Sequence, residues 1–383
     1  MSITIPAGFR AAGLVAGFKA SGKSDLALIV NDGPRHAAAC VFTSNRCKAN
    51  PVLWSEQVIA DGEVAAILLN SGGANCYTGP AGFQLTHSSA EAVAQGLDIS
   101  AGDVLVCSTG LIGPLFSGDK MRAAIPRAIA ALSPDGSQSA AEAIMTTDTV
   151  SKQSTFVGDG WSIGAIAKGA GMLAPALATM LVVITTDVDF DAPHLDTALH
   201  QATSVSFDRL DSDGCQSTND TVALLASGAS KAAPDLQTFT DALTVVCTDL
   251  ATQLMADAEG ASHDLIITTI NAASESDALE VSRSVARSNL FKCAIFGNDP
   301  NWGRVLAAAG TTQATFEPHQ LDVAINDVWL CKDGCAVAEA DSVDMTPRRV
   351  DITINLKAGG FSATILSNDL TTDYVHENSA YST

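Results

Sequence analysis

The chain has 383 residues, of which 47% are hydrophobic and 16% charged, and its formal net charge is -21. That length supports a large core and two lobes, and the low charged fraction fits a chain that buries more surface by self-association. With no Lys/Arg cluster to neutralise phosphates, nucleic acid and anionic membrane surfaces are excluded as partners.

The nine cysteines are scattered, with no CxxC pair. Cys331 and Cys335 have no histidine partner to complete a zinc set, so no metal is expected. The pattern fits a reducing cytoplasm better than a disulfide-dense secreted domain. Met1–Arg10 lacks the features of a signal peptide, and no apolar run reaches membrane-spanning length.

In chain order, Asp25–Val30, Ala37–Thr43, Val64–Asn70 and Val104–Cys107 read as strands bounded by turn residues. Before the first of them, Gly17–Ser24 fits the phosphate-loop pattern GxxxxGK[ST] letter for letter. A strand and turn follow it where the nucleotide reading needs a helix, so a plain connecting loop is the better account. Gln84–Gln95 reads as a helix closed by Gly96. Asp119–Leu132 is a second helix, with Pro126 set to disturb it. Thr155–Ile166 has the form of a hairpin around Gly158-Asp159-Gly160.

Met180–Thr185 is a strand, Pro193–Val205 a helix with proline at its start, and Thr221–Ser227 a buried strand. Asp187-Val188-Asp189-Phe190-Asp191 resembles the opening of a calcium loop but lacks its glycine and its terminal glutamate. Leu236–Ala258 reads as one long helix or two, and Leu265–Ile270 as a strand. Asp277–Asn289 is an amphipathic helix with Ala278, Val281, Val285 and Ala286 on one face. Val350–Leu356 and Phe361–Leu366 are among several strands that follow. The mixture is α+β, with helices covering sheets.

One run carries a specific chemistry. Lys168-Gly169-Ala170-Gly171-Met172 leads through Leu173–Ala178 to Thr179 and then to an apolar strand. A strained Ala178–Thr179 peptide can be attacked by the Thr179 hydroxyl. The new chain then starts with Thr179, whose free α-amine is a base for its own hydroxyl. The reference α-amine pKa of roughly 7.7–8.0 suits proton transfer near neutrality.

Other polar segments are weaker on their own. Ser108-Thr109-Gly110 follows a strand and can aim donors at an oxyanion, or can be a plain strand–loop transition. Met145–Thr149 closes an Ala-rich helix and can bind substrate or simply end the helix. Asp208–Thr221 either lines a site or satisfies backbone groups at sheet ends. Glu259 can meet a substrate ammonium or be a solvated charge. Asn298–Arg304 is a dense loop of site or architecture, and Tyr374–Thr383 docks or frays.

Taken in order, Ser108-Thr109-Gly110, Met145–Thr149, Lys168–Met180, Ser217–Thr221, Glu259-Gly260, Asp299–Arg304 and Asn378…Thr383 resemble the ornithine acetyltransferase (glutamate N-acetyltransferase) family. Many members carry Thr-Lys where this chain has Ser262-His263. The resemblance implies an αββα sandwich shared with certain self-cleaving aminopeptidases. It implies cleavage between Ala178 and Thr179 into chains 1–178 and 179–383, which assemble as α2β2. Thr179 is then the nucleophile, and Thr109 and Gly110 form the oxyanion hole. Thr146, Lys168, Thr179, Glu259, Asn378 and Thr383 bind substrate.

The implied reaction is ping-pong. Acetyl passes from N2-acetylornithine to Thr179 and then to glutamate, with no metal and no cofactor. Acetyl-CoA stays open as a second acetyl donor. The alternative is a self-cleaving amidase or aminopeptidase of related fold, in which water resolves the acyl-enzyme.

Overall fold

The computed structural model describes residues 2–174 and 180–380. Strands β1 (Phe9–Leu14) and β2 (Leu26–Asn31) pair antiparallel. Strand β3 (Ala37–Phe42) then leaves for another sheet, and helix α1 (Asn50–Val58) leads to β4 (Ala66–Asn70). Helix α2 (Gly79–Leu97) crosses to β5 (Val104–Ser108), which runs parallel to β4. The resulting sheet has the order β1-β2-β4-β5. Helices α3 (Gly118–Ala130) and α4 (Ser137–Ala143) follow.

The second sheet takes β6 (Lys152–Val157), β7 (Ser162–Lys168), β8 (Leu181–Thr186) and, after helix α5 (Ala192–Ser204), β9 (Thr221–Ala226). Its order is β3-β9-β8-β7-β6, with β8 and β9 parallel. A parallel pair needs a long crossover, which α5 supplies. Helix α6 (Leu236–Ala256) closes this part of the chain as one continuous helix.

Successive side chains of a strand point to opposite faces, and here both faces are apolar. Ala27, Ile29, Ile67, Leu69 and Leu105 of the first sheet meet Ile166, Leu181, Val183, Ala223 and Leu225 of the second in one core. Leu28, Leu68 and Val106 turn outward against Val93 of α2 and Ile125 of α3. Val182, Ile184 and Leu224 turn the other way against Leu199 of α5 and Leu243 and Val246 of α6. The layers therefore run helix, sheet, sheet, helix, which is the expected αββα sandwich.

The second lobe that the length suggested follows the sandwich. It contains β10 (Asp264–Ala272), α7 (Glu275–Ala286), α8 (Asn289–Phe296) and α9 (Trp302–Ala309). Strands β11 (Asp322–Ile325), β12 (Val328–Lys332), β13 (Cys335–Ala336), β14 (Arg349–Asn355) and β15 (Phe361–Asn368) complete it. These form a six-stranded sheet of order β13-β12-β11-β14-β10-β15 over its own core. The predicted face of α7, Ala278, Val281, Val285 and Ala286, is buried there. Helix α10 (Thr372–Ala380) ends the described chain.

Two local readings change. Helix α2 runs through Gly96, and the left-handed residue that ends it is Asp98. Gly96 serves packing instead, because a Cβ there would lie 2.3 Å from Ile129 Cδ1 of α3. Helix α3 continues through Pro126, which is exposed, so water can satisfy the carbonyl it strands.

The phosphate-like loop before β2 is filled by its own anion. The Asp25 carboxylate accepts the N–H groups of Ala16 at 2.6 Å, Phe18 at 2.6 Å and Lys19 at 2.9 Å. Asp187 and Asp191, of the calcium-like run, are likewise engaged by protein: the first by Ser162 and Ala7 N–H groups, the second as the N-cap of α5.

Candidate active site

The second sheet brings strand ends together at one rim of the sandwich. Lys168, the last residue of β7, lies opposite Leu181, the first of β8, and Thr221 starts β9 on the other side of Leu181. Strand β5 of the facing sheet ends nearby at Ser108, so its loop Thr109-Gly110 projects over the same rim. A cavity of about 130 Å³ lies there, lined by Thr109, Gly110, Thr146, Thr147, Lys168, Gly171, Met172, Glu259 and Asn378.

The loop after β5 is fixed by its backbone. Thr109 N–H donates to Asn70 O at 2.9 Å, and Gly73 N–H donates to Thr109 O at 2.9 Å. Gly110 has φ 127, and a Cβ there would lie 2.8 Å from Gly73 N, so glycine is required. Among the described residues no group accepts the Gly110 N–H. Lys168 Nζ donates to Thr109 Oγ1 at 3.0 Å, and this leaves the Thr109 hydroxyl proton free to donate. A hydroxyl and an amide are thus presented side by side at the cavity wall.

Lys168 is 1% exposed. Burial pushes its ammonium below the usual range, opposed by Asp148 and assisted by Lys152. Burial alone would raise Asp148, but Lys168, Lys152 and the Thr146 N–H together hold it below its ordinary value. Its oxygens accept Gly169 N–H at 2.6 Å, Lys152 Nζ at 2.7 Å and Thr146 N–H at 2.9 Å. Lys152 reaches on to Asp257 at 2.6 Å. This buried network ties the loop of Thr146 and Thr147 to the Lys168–Gly171 segment.

The opposite wall is acidic. Glu259 follows α6, and its N–H donates to Ala170 O at 2.9 Å. A Cβ on Gly171 would lie 2.6 Å from Glu259 Oε2, so the glycine admits the carboxylate. Asn378 of α10 donates its amide to Glu259 Oε2 at 3.0 Å. The docking of α10 is close: Gly260 has φ 61, and a Cβ there would lie 2.2 Å from Tyr374 N. Ser262 and His263 turn away from the cavity toward Asp369, which accepts the His263 N–H at 3.0 Å and contacts His263 Nδ1 at 2.8 Å.

A buried cation and a carboxylate thus face one small space, with hydroxyls between them. That arrangement matches a zwitterionic α-amino acid, whose carboxylate and ammonium need opposite partners.

The ArgJ family model matches residues 10–383. The chain belongs to the ArgJ family. An "arginine biosynthesis bifunctional protein ArgJ" from Streptomyces avermitilis is 61% identical over 100% of both chains. The protein of the same name from Thermobifida fusca is 56% identical, again over 100% of both. A solved ornithine acetyltransferase complexed with ornithine, from Mycobacterium tuberculosis, is similar at 50% identity. It covers 47% of this chain and 96% of its own, with a TM-score of 0.45.

Of the residues singled out in the sequence, Thr109, Gly110, Thr146, Lys168, Glu259 and Asn378 line one cavity. Thr147 lines it too. Ala178, Thr179 and Thr383 lie outside the described residues. Asn298–Arg304 is architectural: the Asn301 side chain caps α9 and Arg304 donates to Leu290 O. The polar run 208–221 serves backbone groups, with Asn219 donating to Ala74 O at 2.6 Å and Ser108 O at 2.8 Å. Sequence reasoning missed Lys152. The available signal was a lysine in a strand that alternates inward at that position.

Proposed function

We propose that this chain is the glutamate N-acetyltransferase of arginine biosynthesis, carrying acetyl from N2-acetylornithine to glutamate on Thr179. The supporting observation is the single cavity that gathers Thr109, Gly110, Thr146, Lys168, Glu259 and Asn378 beside the start of β8. Family membership over nearly the whole chain favours a transferase of arginine biosynthesis over the amidase alternative.

The chain first cuts itself. Thr179 Oγ attacks the Ala178 carbonyl carbon, the C–N bond breaks, and the hydroxyl proton passes to the departing nitrogen. Water then hydrolyses the ester, releasing the Ala178 carboxylate and leaving Thr179 with a free α-amine. The products are 1–178 and 179–383, assembled as α2β2.

In turnover the Thr179 amine takes the hydroxyl proton as Oγ attacks the acetyl carbonyl. The oxyanion sits between the Thr109 hydroxyl and the Gly110 N–H. The proton passes to the leaving α-nitrogen, ornithine departs, and an acetyl-threonine ester remains. Glutamate then attacks the ester carbonyl through its own amine, the bond from that carbon to Thr179 Oγ breaks, the amine's proton passes to Oγ, and N-acetylglutamate leaves. Lys168 and Thr146 hold the amino-acid carboxylate, Glu259 and Asn378 the polar end opposite, and Thr383 is a further substrate-binding residue.

No step calls for a metal or a cofactor, and acetyl-CoA is a second candidate donor to the same threonine. Among the described residues no helix is long and apolar enough to cross a membrane, which is compatible with a cytoplasmic enzyme. The test is an assay with acetylornithine, with and without glutamate. N-acetylglutamate as product supports the transferase; acetate release indifferent to glutamate supports the amidase.

A further inference from the structure

Asp220 is a fully buried carboxyl that the mechanism above does not use. It immediately precedes β9, as Met180 immediately precedes β8, and the parallel register sets the two side by side. Met180 N–H donates to Asp220 Oδ1 at 3.1 Å. In return, Thr221 N–H donates to Met180 O at 3.2 Å. Asp220 is itself pinned, since its carbonyl accepts Thr43 N–H at 3.0 Å from β3. Its second oxygen has no hydrogen-bond partner among the described residues. An unpaired buried charge would be costly. Burial pushes this carboxyl well above the usual range, against the opposing pull of the Met180 N–H, the nearby Ser217 hydroxyl, Lys168 and the Thr43 hydroxyl.

The amide nitrogen of Met180 is bonded to the carbonyl carbon of Thr179. Whatever fixes that N–H therefore fixes the peptide unit on which Thr179 is carried. We infer that Asp220 is a positioning residue for Thr179: its carboxyl holds the Met180 N–H, the amide through which Thr179 is joined to β8. The inference rests on the assignment of Thr179 as cleavage nucleophile. It makes Asp220 act through the backbone, with no contact to substrate. An oxygen that accepts the Met180 N–H is all the role requires, so asparagine is a fair replacement and alanine is not.

The test follows self-cleavage of the full-length chain in time, by denaturing gel and intact mass, with thermal melting to establish that each variant is folded. In Asp220→Ala cleavage slows by about 100-fold, the scale set by small misplacement of a reacting group. In the fraction that matures, kcat falls while KM for acetylornithine stays. In Asp220→Asn cleavage proceeds nearly as fast as in the parent. A folded Asp220→Ala chain that cuts at the parental rate overturns the inference, as does a folded Asp220→Asn chain that stays uncut. Should the alanine variant fail to fold, the asparagine variant alone decides. If the parent chain itself never cuts, the assignment of Thr179 falls and the inference falls with it. If the parent and the alanine variant cut alike, only Asp220 is at fault.

Discussion

The two units of this molecule use their strands differently. In the sandwich, β2, β4, β5, β7, β8 and β9 are buried along their whole length, because each sheet is covered on both faces. In the C-terminal sheet, β10 and β14 alternate buried and part-exposed residues, as strands covered on one face do. A doubly covered sheet leaves no face free for a site. Chemistry is therefore driven to the strand ends, where Lys168, Asp220 and Thr109 are buried without being sealed in the core. Among the described residues, the C-terminal unit reaches the cavity through flanking pieces, Glu259 before β10 and Asn378 after β15.

Substitutions can break this contrast. The largest effect belongs to Thr179→Ala, which yields a single uncut chain with no acetyl transfer; turnover by that variant would remove Thr179 from the mechanism. Next is Thr109→Ala. It keeps the fold and slows acyl transfer on the order of 10²–10³-fold, the scale for one lost oxyanion donor. A steady-state rate equal to the parent's would place the oxyanion elsewhere.

In the other unit, Ile352→Ala removes a fully buried side chain of β14. It lowers stability by about 2–5 kcal/mol, seen in denaturant melts, while the rate per folded molecule stays unchanged. A drop in that rate would show that the two units are coupled.

The smallest effect is on pH dependence. Burial raises Asp220, so the folded chain favours its protonated form. That contribution is complete below the unfolded carboxyl value of roughly 3.9 and is lost as pH rises through the higher folded value. Asparagine has no such loss. Melting temperatures of Asp220→Asn relative to the parent should rise as pH is taken upward from about 4. A pH-independent difference would mean that folding does not raise the Asp220 carboxyl.

Much of this was legible in the sequence because its signals are local. The strand 180–185, the hairpin around Gly158-Asp159-Gly160 and the apolar face of α7 follow from periodicity and turn residues alone. The hairpin is real: β6 and β7 pair antiparallel, and Gly158 N–H donates to Trp161 O at 2.9 Å. Gly96 and Pro126 misled because tertiary contact and solvent exposure, neither visible locally, decide what a glycine or proline does in a helix. The cavity residues could be named from the family resemblance. Their partners could not, since Lys152 meets Asp257 across 105 positions of chain. Asp220 lay in a polar run whose reading stayed open between site and architecture; the pairing of β8 with β9 separates it from its neighbours.

Intact-mass analysis of the purified, active protein tests the central claim most directly. The account predicts two chains, 1–178 and 179–383, and a gain of one acetyl group on the 179–383 chain when acetylornithine is supplied without glutamate. A single 383-residue chain that transfers acetyl would contradict it.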